Sequence, residues 1–429
     1  MKNAPVITAI DIGTTKICAI IAELTDDNKL EVKGIGESKS RGLEKGIVKD
    51  IGRASESIKR ALEMAEKMAD LDAVNLFAGI AGEHIKSRNS IGRISISDNT
   101  GSEPSEIDQS HIESVINDAK RGVKIQQGNE NLEIIHGIPQ YFDIDAQKGV
   151  MNPMNMSGFH LTAHVHVVLA DMSAIRNILR CVEIAGYDEP EIVLEPIASA
   201  KAVLNEDEIN LGCIFLDIGG GTTDIAVFYK GSIRFSTVKP LGGMNITNDL
   251  SIGLRTPPNS AEKIKISKGS VIYKDIEESE TVQVEGIGGR SSNVKKLRFI
   301  SEIIESRMRE ILDISYETVF TNYNQDMMTA GLILTGGSSL LTNTEILATE
   351  IYNMPVKIGL PNLARLSGPT SRLSSPIYST SVGLLYYALD VLPNKNFLST
   401  SKRNTNKDSI NEKIINTLKH WFHTLSEFF

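Results

Sequence analysis

A short pattern that occurs twice constrains this chain more than any other feature. Residues 6–24 read VITAIDIGTTKICAIIAEL and residues 212–229 read GCIFLDIGGGTTDIAVFY. Each is a strand-length apolar run rich in Val and Ile, then Asp-Ile-Gly, then Gly and Thr, then a second apolar run. Gly and Thr between two such runs are turn chemistry, so each copy reads as a β-hairpin with an aspartate at the end of its first strand. The copies stand about two hundred residues apart, one domain's length and far beyond the period of a solenoid repeat. At 429 residues the chain is also too long for one growing core. These points predict an α/β protein of two lobes with similar topology, each built on a mixed β-sheet with flanking helices.

The rest of the chain fits around the hairpins. Residues 30–36 read as a third strand and 51–69 as an amphipathic helix capped by Asp50. Residues 73–82 read as a buried strand, 172–186 and 195–204 as helices. The stretch 84–162 changes character and reads as an inserted subdomain that ends in an alternating strand, Leu161 to Leu169. In the second half, a helix is expected near 259–268, strands over 271–276 (VIYKDI) and 281–287 (TVQVEGI), and a long helix over 298–325. A buried strand runs into a Gly-Gly-Ser turn over 331–341, and an apolar helix covers 379–392. The expected organisation is a first lobe of 1–83, 163–195 and 376–392, and a second of 196–236 and 301–375. A small subdomain spans 237–300, a polar linker 393–409, and a last helix 410–429.

Three glycines after a buried strand cost conformational entropy with no packing return, which points to a ligand. Phosphates need converging backbone N–H donors, and Mg²⁺, which keeps most of its water, needs carboxylates close by. Asp11 with Gly13, Thr14 and Thr15 offers one such turn, with Lys16 placed to neutralise a phosphate. Asp217 with Gly219, Gly220, Gly221, Thr222, Thr223 and Asp224 offers the other. A third turn, Gly336-Gly337-Ser338, follows a buried strand, where an adenosine or ribose would meet backbone. No G-x-x-x-x-G-K-[ST] motif occurs, which disfavours a P-loop fold.

Five segments then resemble, in order, the signature segments of the actin and sugar-kinase ATPase superfamily. They are Ile10 to Lys16, Glu195 to Ala202, Leu216 to Asp224, Leu334 to Leu341, and Tyr378 to Ala388. Further segments resemble the FtsA family of bacterial cell-division proteins over essentially the whole chain. These include Arg41-Gly42-Leu43, Met156-Ser157-Gly158, Gly253 to Lys265, Val284 to Arg290, and Tyr378 to Leu385. The resemblance implies an actin-like ATPase fold with ATP and Mg²⁺ in the interlobe cleft. It implies that Asp11 and Asp217 orient the metal through water and that Glu195 places an attacking water. Glu262 and Lys265, one helical turn apart, would contact ribose and adenine, with Gly243 among the nucleotide contacts. An alternative reading of Glu195 is a helix N-terminal carboxylate serving only the macrodipole. The implied partners are the C-terminal peptide of the tubulin-like division GTPase FtsZ on 237–300, other division proteins through 84–162, and further copies of the chain in protofilaments.

The last twenty residues carry their own signal. Ile410, Ile414, Ile415, Leu418, Trp421, Phe422, Leu425, Phe428 and Phe429 form one helical stripe, and Trp421 is the chain's single tryptophan. Residues 402–429 hold five basic side chains against three acidic ones. Such a helix lies in an anionic membrane interface rather than crossing it, unless it buries the stripe in a core. No run of eighteen apolar residues exists to span a bilayer, and the N-terminal apolar run, cut by Asp11, is no signal peptide. The net charge of −9 gives the body no general attraction to nucleic acid. Cys18, Cys181 and Cys213 lie far apart in apolar stretches and read as reduced core residues. His160, His164 and His166 read as core or edge histidines rather than metal ligands. The expected role is a polymerising membrane adaptor on the cytoplasmic face at the division site. A small-molecule kinase, a chaperone ATPase and a pilus-assembly relative are the competing readings.

Overall fold

The computed structural model describes residues 4–96, 103–124 and 131–391. The linker expected over 393–409 and the helix expected over 410–429, with Ile414, Leu418, Trp421, Phe422, Leu425 and Phe428, lie outside the described residues.

Two sheets carry the sequence echo. Val6–Ile12 pairs antiparallel with Lys16–Leu24, and that strand with Leu30–Lys39. On its other side Val6–Ile12 pairs parallel with Leu76–Ile80, which pairs with Glu191–Leu194. In the second sheet Cys213–Ile218, Thr223–Tyr229 and Ser232–Lys239 repeat the antiparallel part. Leu332–Thr335 and Val356–Ile358 repeat the parallel part. The central strands are buried along their length, which is why they read as unbroken apolar runs. Asp11 and Asp217 take the same place, next to last in their strands. Cys18 stands opposite Asp11, whereas Asp224 stands opposite Asp217.

Three local expectations are corrected. Leu366–Ser367, which the sequence places in the second lobe, adds an edge strand beside Leu30–Lys39, because Leu366 is buried with Leu30 and Val32 in one core cluster. Residues 271–276 form no strand; the one bridge beside them joins Ser270 to Thr342. The Ser270 hydroxyl accepts from the Ile272 N–H at 3.2 Å, and this local bond turns the chain before Tyr273–Asp275 coils into a 3₁₀ turn. The insertion expected over 84–162 runs on to Asp171, because the strand His160–Asp171 pairs along its length with Ile85–Ser95 and Leu132–Ile144.

Two helices connect the lobes, Glu195–Val203 and Ser379–Val391. The second is buried on every side and therefore carries no polar face. A Cβ on Gly383 would overlap the Ala198 carbonyl, so the two backbones touch. An ion pair of Lys201 with Asp390 ties their far ends, and Arg365 reaches the same carboxylate at 3.2 Å.

The insertion is a separate small body. Gln147–Val150, Leu132–Ile144, His160–Asp171 and Ile85–Ser95 form a four-stranded antiparallel sheet in that order. Helix Gln109–Lys124 packs on it around Val115, Ile116, Ala119, Val165 and Val167. Its strands rest against the edge strand Ser232–Lys239. Asn89 Nδ2 donates to the Arg234 carbonyl at 3.0 Å, and Gln140 Nε2 to the Ile233 carbonyl at 2.8 Å. His166 is buried at this contact, 2.8 Å from Asn89 Oδ1 and 2.9 Å from Ser236 Oγ. His164 pairs with Asp143 at 3.0 Å and stacks on Tyr141.

Burial pushes the His166 pKa down to about 3. The folded chain therefore keeps this ring neutral while the unfolded chain protonates it below about pH 6.5. The unfolded state binds more protons in that window, so this contribution is intact above pH 6.5 and is lost as pH falls. Denaturation at pH 7.5 and pH 5 should show His166→Gln losing less stability than wild type over that interval, by on the order of 2 kcal/mol.

Candidate functional site

The two Gly/Thr turns meet face to face. A Cβ on Gly220 would enter the Thr15 side chain, and one on Gly221 would enter Thr14. Thr14 Oγ1 also accepts from the Gly46 N–H at 3.2 Å, which pins the first turn to the loop after Leu43–Glu44. In the second turn the Gly219 N–H donates to the Thr222 carbonyl at 2.9 Å, and Thr223 Oγ1 to the Leu241 carbonyl at 2.8 Å. Gly13 lies 3.8 Å, measured from an added Cβ, from Asp11 Oδ1.

The remaining elements converge on that second turn. The Gly243 N–H donates to the Gly219 carbonyl at 3.0 Å, and Ser338 Oγ donates to the same oxygen at 2.9 Å. Lys265 Nζ donates to the Gly243 carbonyl at 3.0 Å and to Thr247 Oγ1 at 2.9 Å, and pairs with Glu262 at 2.8 Å. Gly336 adopts φ 83° and ψ 166°, a region that in practice only glycine occupies. A Cβ there would overlap Asp217 Oδ1. Gly337 faces Ile377 across 3.8 Å. The third turn thus closes against the second.

Between the turns sit four carboxylates. Asp11, Asp217 and Asp224 are buried. Burial raises the Asp217 pKa to about 6, against the pull of Ser199 and with a further push from Asp11. Burial first, then Asp217 and Asp11, hold Asp224 well above the ordinary carboxylate range. Glu195 keeps some solvent contact, yet burial and the charges of Asp224, Asp11 and Asp217 raise it in the same way. Asp11 is raised by burial and drawn back by Lys16. Lys16 itself lies 3.5 Å from Glu37 and 4.0 Å above the Tyr378 ring.

Hydroxyls from the connecting helices hold these acids. Ser199 Oγ donates to Asp217 at 2.7 Å, Thr380 Oγ1 to the same oxygen at 3.4 Å, and Ser381 Oγ to Asp11 at 3.2 Å. Gly79 makes room for Glu195, since a Cβ would stand 3.0 Å from its Cγ and 3.3 Å from its Oε1. Sequence reasoning misses Gly79, Ser199, Thr247, Thr380 and Ser381. The only signal for the three hydroxyls on connecting helices is small polar residues on otherwise apolar helices.

A hydrated divalent cation fits this cluster. Asp224 Oδ1 is buried without a hydrogen-bond partner, directly opposite Asp217, and like charges so placed repel. Among the described residues no three His, Cys, Asp or Glu groups form a preformed metal cage.

Duplicated sheets, two buried connecting helices and facing Gly/Thr turns define the actin-like ATPase fold. Solved structures agree on the fold alone. A chain of the PilM-PilN type IV pilus biogenesis complex superposes with TM-score 0.63 at 15% identity, covering 91% of this chain and 99% of that one. MreB5 of Spiroplasma citri bound to ADP superposes with TM-score 0.52 at 15% identity, covering 92% and 100%. With AMPPNP bound it gives TM-score 0.53 at 14% identity, covering 91% and 98%.

Sequence relatives go further. The family profile "Cell division protein FtsA" matches residues 214–383, and "SHS2 domain inserted in FTSA" matches residues 82–169. The cell division protein FtsA of Pseudomonas aeruginosa is 39% identical over 421 residues, 98% of each chain. That of Borreliella burgdorferi is 34% identical over 425 residues, 99% of each chain. That of Escherichia coli K12 is 33% identical over 388 residues, 89% of this chain and 90% of its own. The chain belongs to the FtsA family of cell division proteins.

The third turn gives a direct check. Gly336→Ala should lower unfolding stability by roughly 1–3 kcal/mol, whereas Gly337→Ala, whose Cβ would make only an ordinary contact with Ile377, should stay within about 0.5 kcal/mol of wild type in the same denaturant titration.

Proposed function

We propose that this chain binds ATP with Mg²⁺ between its two Gly/Thr turns, polymerises on the cytoplasmic membrane face, and tethers the FtsZ ring there while recruiting later division proteins. The observation that carries the nucleotide reading is a buried carboxylate cluster between two turns rich in Gly and Thr, one oxygen of which, Asp224 Oδ1, has no hydrogen-bond partner. The ADP and AMPPNP bound to the structural neighbour MreB5 support it.

In this reading Asp11 and Asp217 hold the hydrated cation, and Lys16 leaves Glu37 to face a phosphate. Backbone N–H groups of Gly13 to Lys16 and Gly220 to Thr223 bind the phosphate oxygens, with Gly219 closing the second turn. Gly243, Glu262, Lys265 and the 336–338 turn receive the nucleoside. Bound Mg²⁺ supplies charge neutralisation at the phosphates. Glu195 accepts a hydrogen bond from a water and aims it at the terminal phosphate, giving slow hydrolysis through positioning and fixed charge.

The terminal helix supplies the membrane grip, with Ile414, Leu418, Trp421, Phe422, Leu425 and Phe428 on its apolar stripe and a polar linker before it. The small subdomain of 237–300 offers exposed apolar side chains for the FtsZ peptide. Ile252 is 76% exposed, Val294 68%, and Phe299, at the start of the adjoining helix, 42%. The insertion, which includes the strand His160–Asp171, is the platform for other division proteins and for contacts along a filament.

Asp217→Ala should abolish Mg²⁺-dependent ATP binding, measured by calorimetry, while the circular dichroism spectrum stays that of the wild type. Unchanged ATP affinity would remove the proposed site. With anionic liposomes and Mg²⁺-ATP, the full chain should pellet and form filaments on the lipid, and a version ending at Asn406 should stay in the supernatant. If both stay soluble, the membrane reading is wrong. Ile252→Asp should weaken binding of an FtsZ C-terminal peptide at least about tenfold by fluorescence anisotropy, the loss expected for a central apolar contact. An unaltered anisotropy titration would place that peptide elsewhere.

A further inference from the structure

Glu195 has an anchor that the nucleotide site does not explain. The preceding residue, Leu194, ends the edge strand Glu191–Leu194 and opens the first connecting helix. As the residue at the helix start, Leu194 has no side chain able to cap it. Its N–H instead donates to His136 Nε2 at 2.8 Å. His136 belongs to the insertion, on strand Leu132–Ile144, and is 2% exposed. The same ring meets Tyr387 of the second connecting helix edge-on, with centroids 6.1 Å apart. One imidazole from the insertion therefore touches both helices that join the lobes.

The ring is suited to this task. Burial pushes its pKa down to about 3, and the neighbouring Lys120 and His166 add to the effect. It is neutral under any cellular condition, and accepting at Nε2 places the ring proton on Nδ1. A buried N–H deprived of its acceptor costs about 1–3 kcal/mol, so the strand of the insertion and the helix start hold each other in place.

We infer that His136 is a positioning residue that sets the Glu195 carboxylate from the insertion, through the Leu194 amide. The inference rests on the reading of Glu195 as the water-placing group. It makes the insertion a control element for the nucleotide site: a ligand that shifts the Leu132–Ile144 strand shifts Glu195. By linkage, a nucleotide that moves the helix start shifts the insertion by the same free energy.

The test compares wild type, His136→Phe and His136→Gln in the full chain. Three quantities are read: hydrogen exchange of the Leu194 amide, Mg²⁺-ATP affinity, and single-turnover ATP hydrolysis. Phe fills the space without an acceptor, so exchange should quicken about tenfold and hydrolysis fall about tenfold or more, with affinity within about threefold of wild type. Gln presents an acceptor and should recover most of both losses. Wild-type exchange in the Phe variant, or a Gln variant as impaired as Phe, overturns the inference. If wild type hydrolyses no ATP, the water-placing role of Glu195 fails; the exchange rates and their recovery in Gln still decide whether His136 anchors the helix start.

Discussion

Four carboxylates share one small volume where two hairpin turns meet two helices; burial makes all four harder to ionise, and the charge of Asp11 pushes the other three up further. Burying one such charge without a partner is costly; burying several together is tolerated only where something else neutralises them. The fold concentrates this cost at the junction of its two lobes. The hydroxyls of Ser199, Thr380 and Ser381 offset part of it. The uncompensated remainder, seen most plainly at Asp224 Oδ1, is the feature on which the proposed cation site rests.

The duplicated sheet explains how such a site arises. One hairpin places one aspartate at a strand end beside a Gly/Thr turn. Two copies facing each other bring two aspartates and two Gly/Thr turns together. The copies are not equivalent: Cys18 occupies in the first hairpin the position that Asp224 occupies in the second, so the second lobe contributes more negative charge. The connecting helices pack backbone to backbone at Ala198 and Gly383, and both carry groups that touch the acids. A change in the angle between the lobes must therefore move the acids as well.

Much of this was legible in the sequence, for a physical reason. Strands buried on both faces must be apolar throughout, and a turn that approaches another backbone closely must be Gly-rich, so the two hairpins announce themselves. Helix starts at Asp50 and Asp171 and the stop at Gly186 follow from local capping. What escaped were features that depend on tertiary neighbours. Residues 271–276 alternate like a strand, yet a serine–backbone bond and Glu305, whose carboxylate accepts from the Tyr273 N–H at 2.9 Å, turn them aside. Leu366–Ser367 is too short to read as a strand at all. Gly79 sits inside an unremarkable strand and matters only because Glu195 lies against it. His136 belongs to no motif; its partner is a backbone amide far along the chain.

The central claim is the position of a cation between the two hairpins, and anomalous diffraction tests it most directly. Crystals of the chain grown with Mn²⁺-ATP, Mn²⁺ standing in for Mg²⁺, should give an anomalous peak within water-mediated reach of both Asp11 and Asp217, with the phosphates flanked by the two Gly/Thr turns. Nucleotide bound with its manganese peak away from these aspartates would contradict the account.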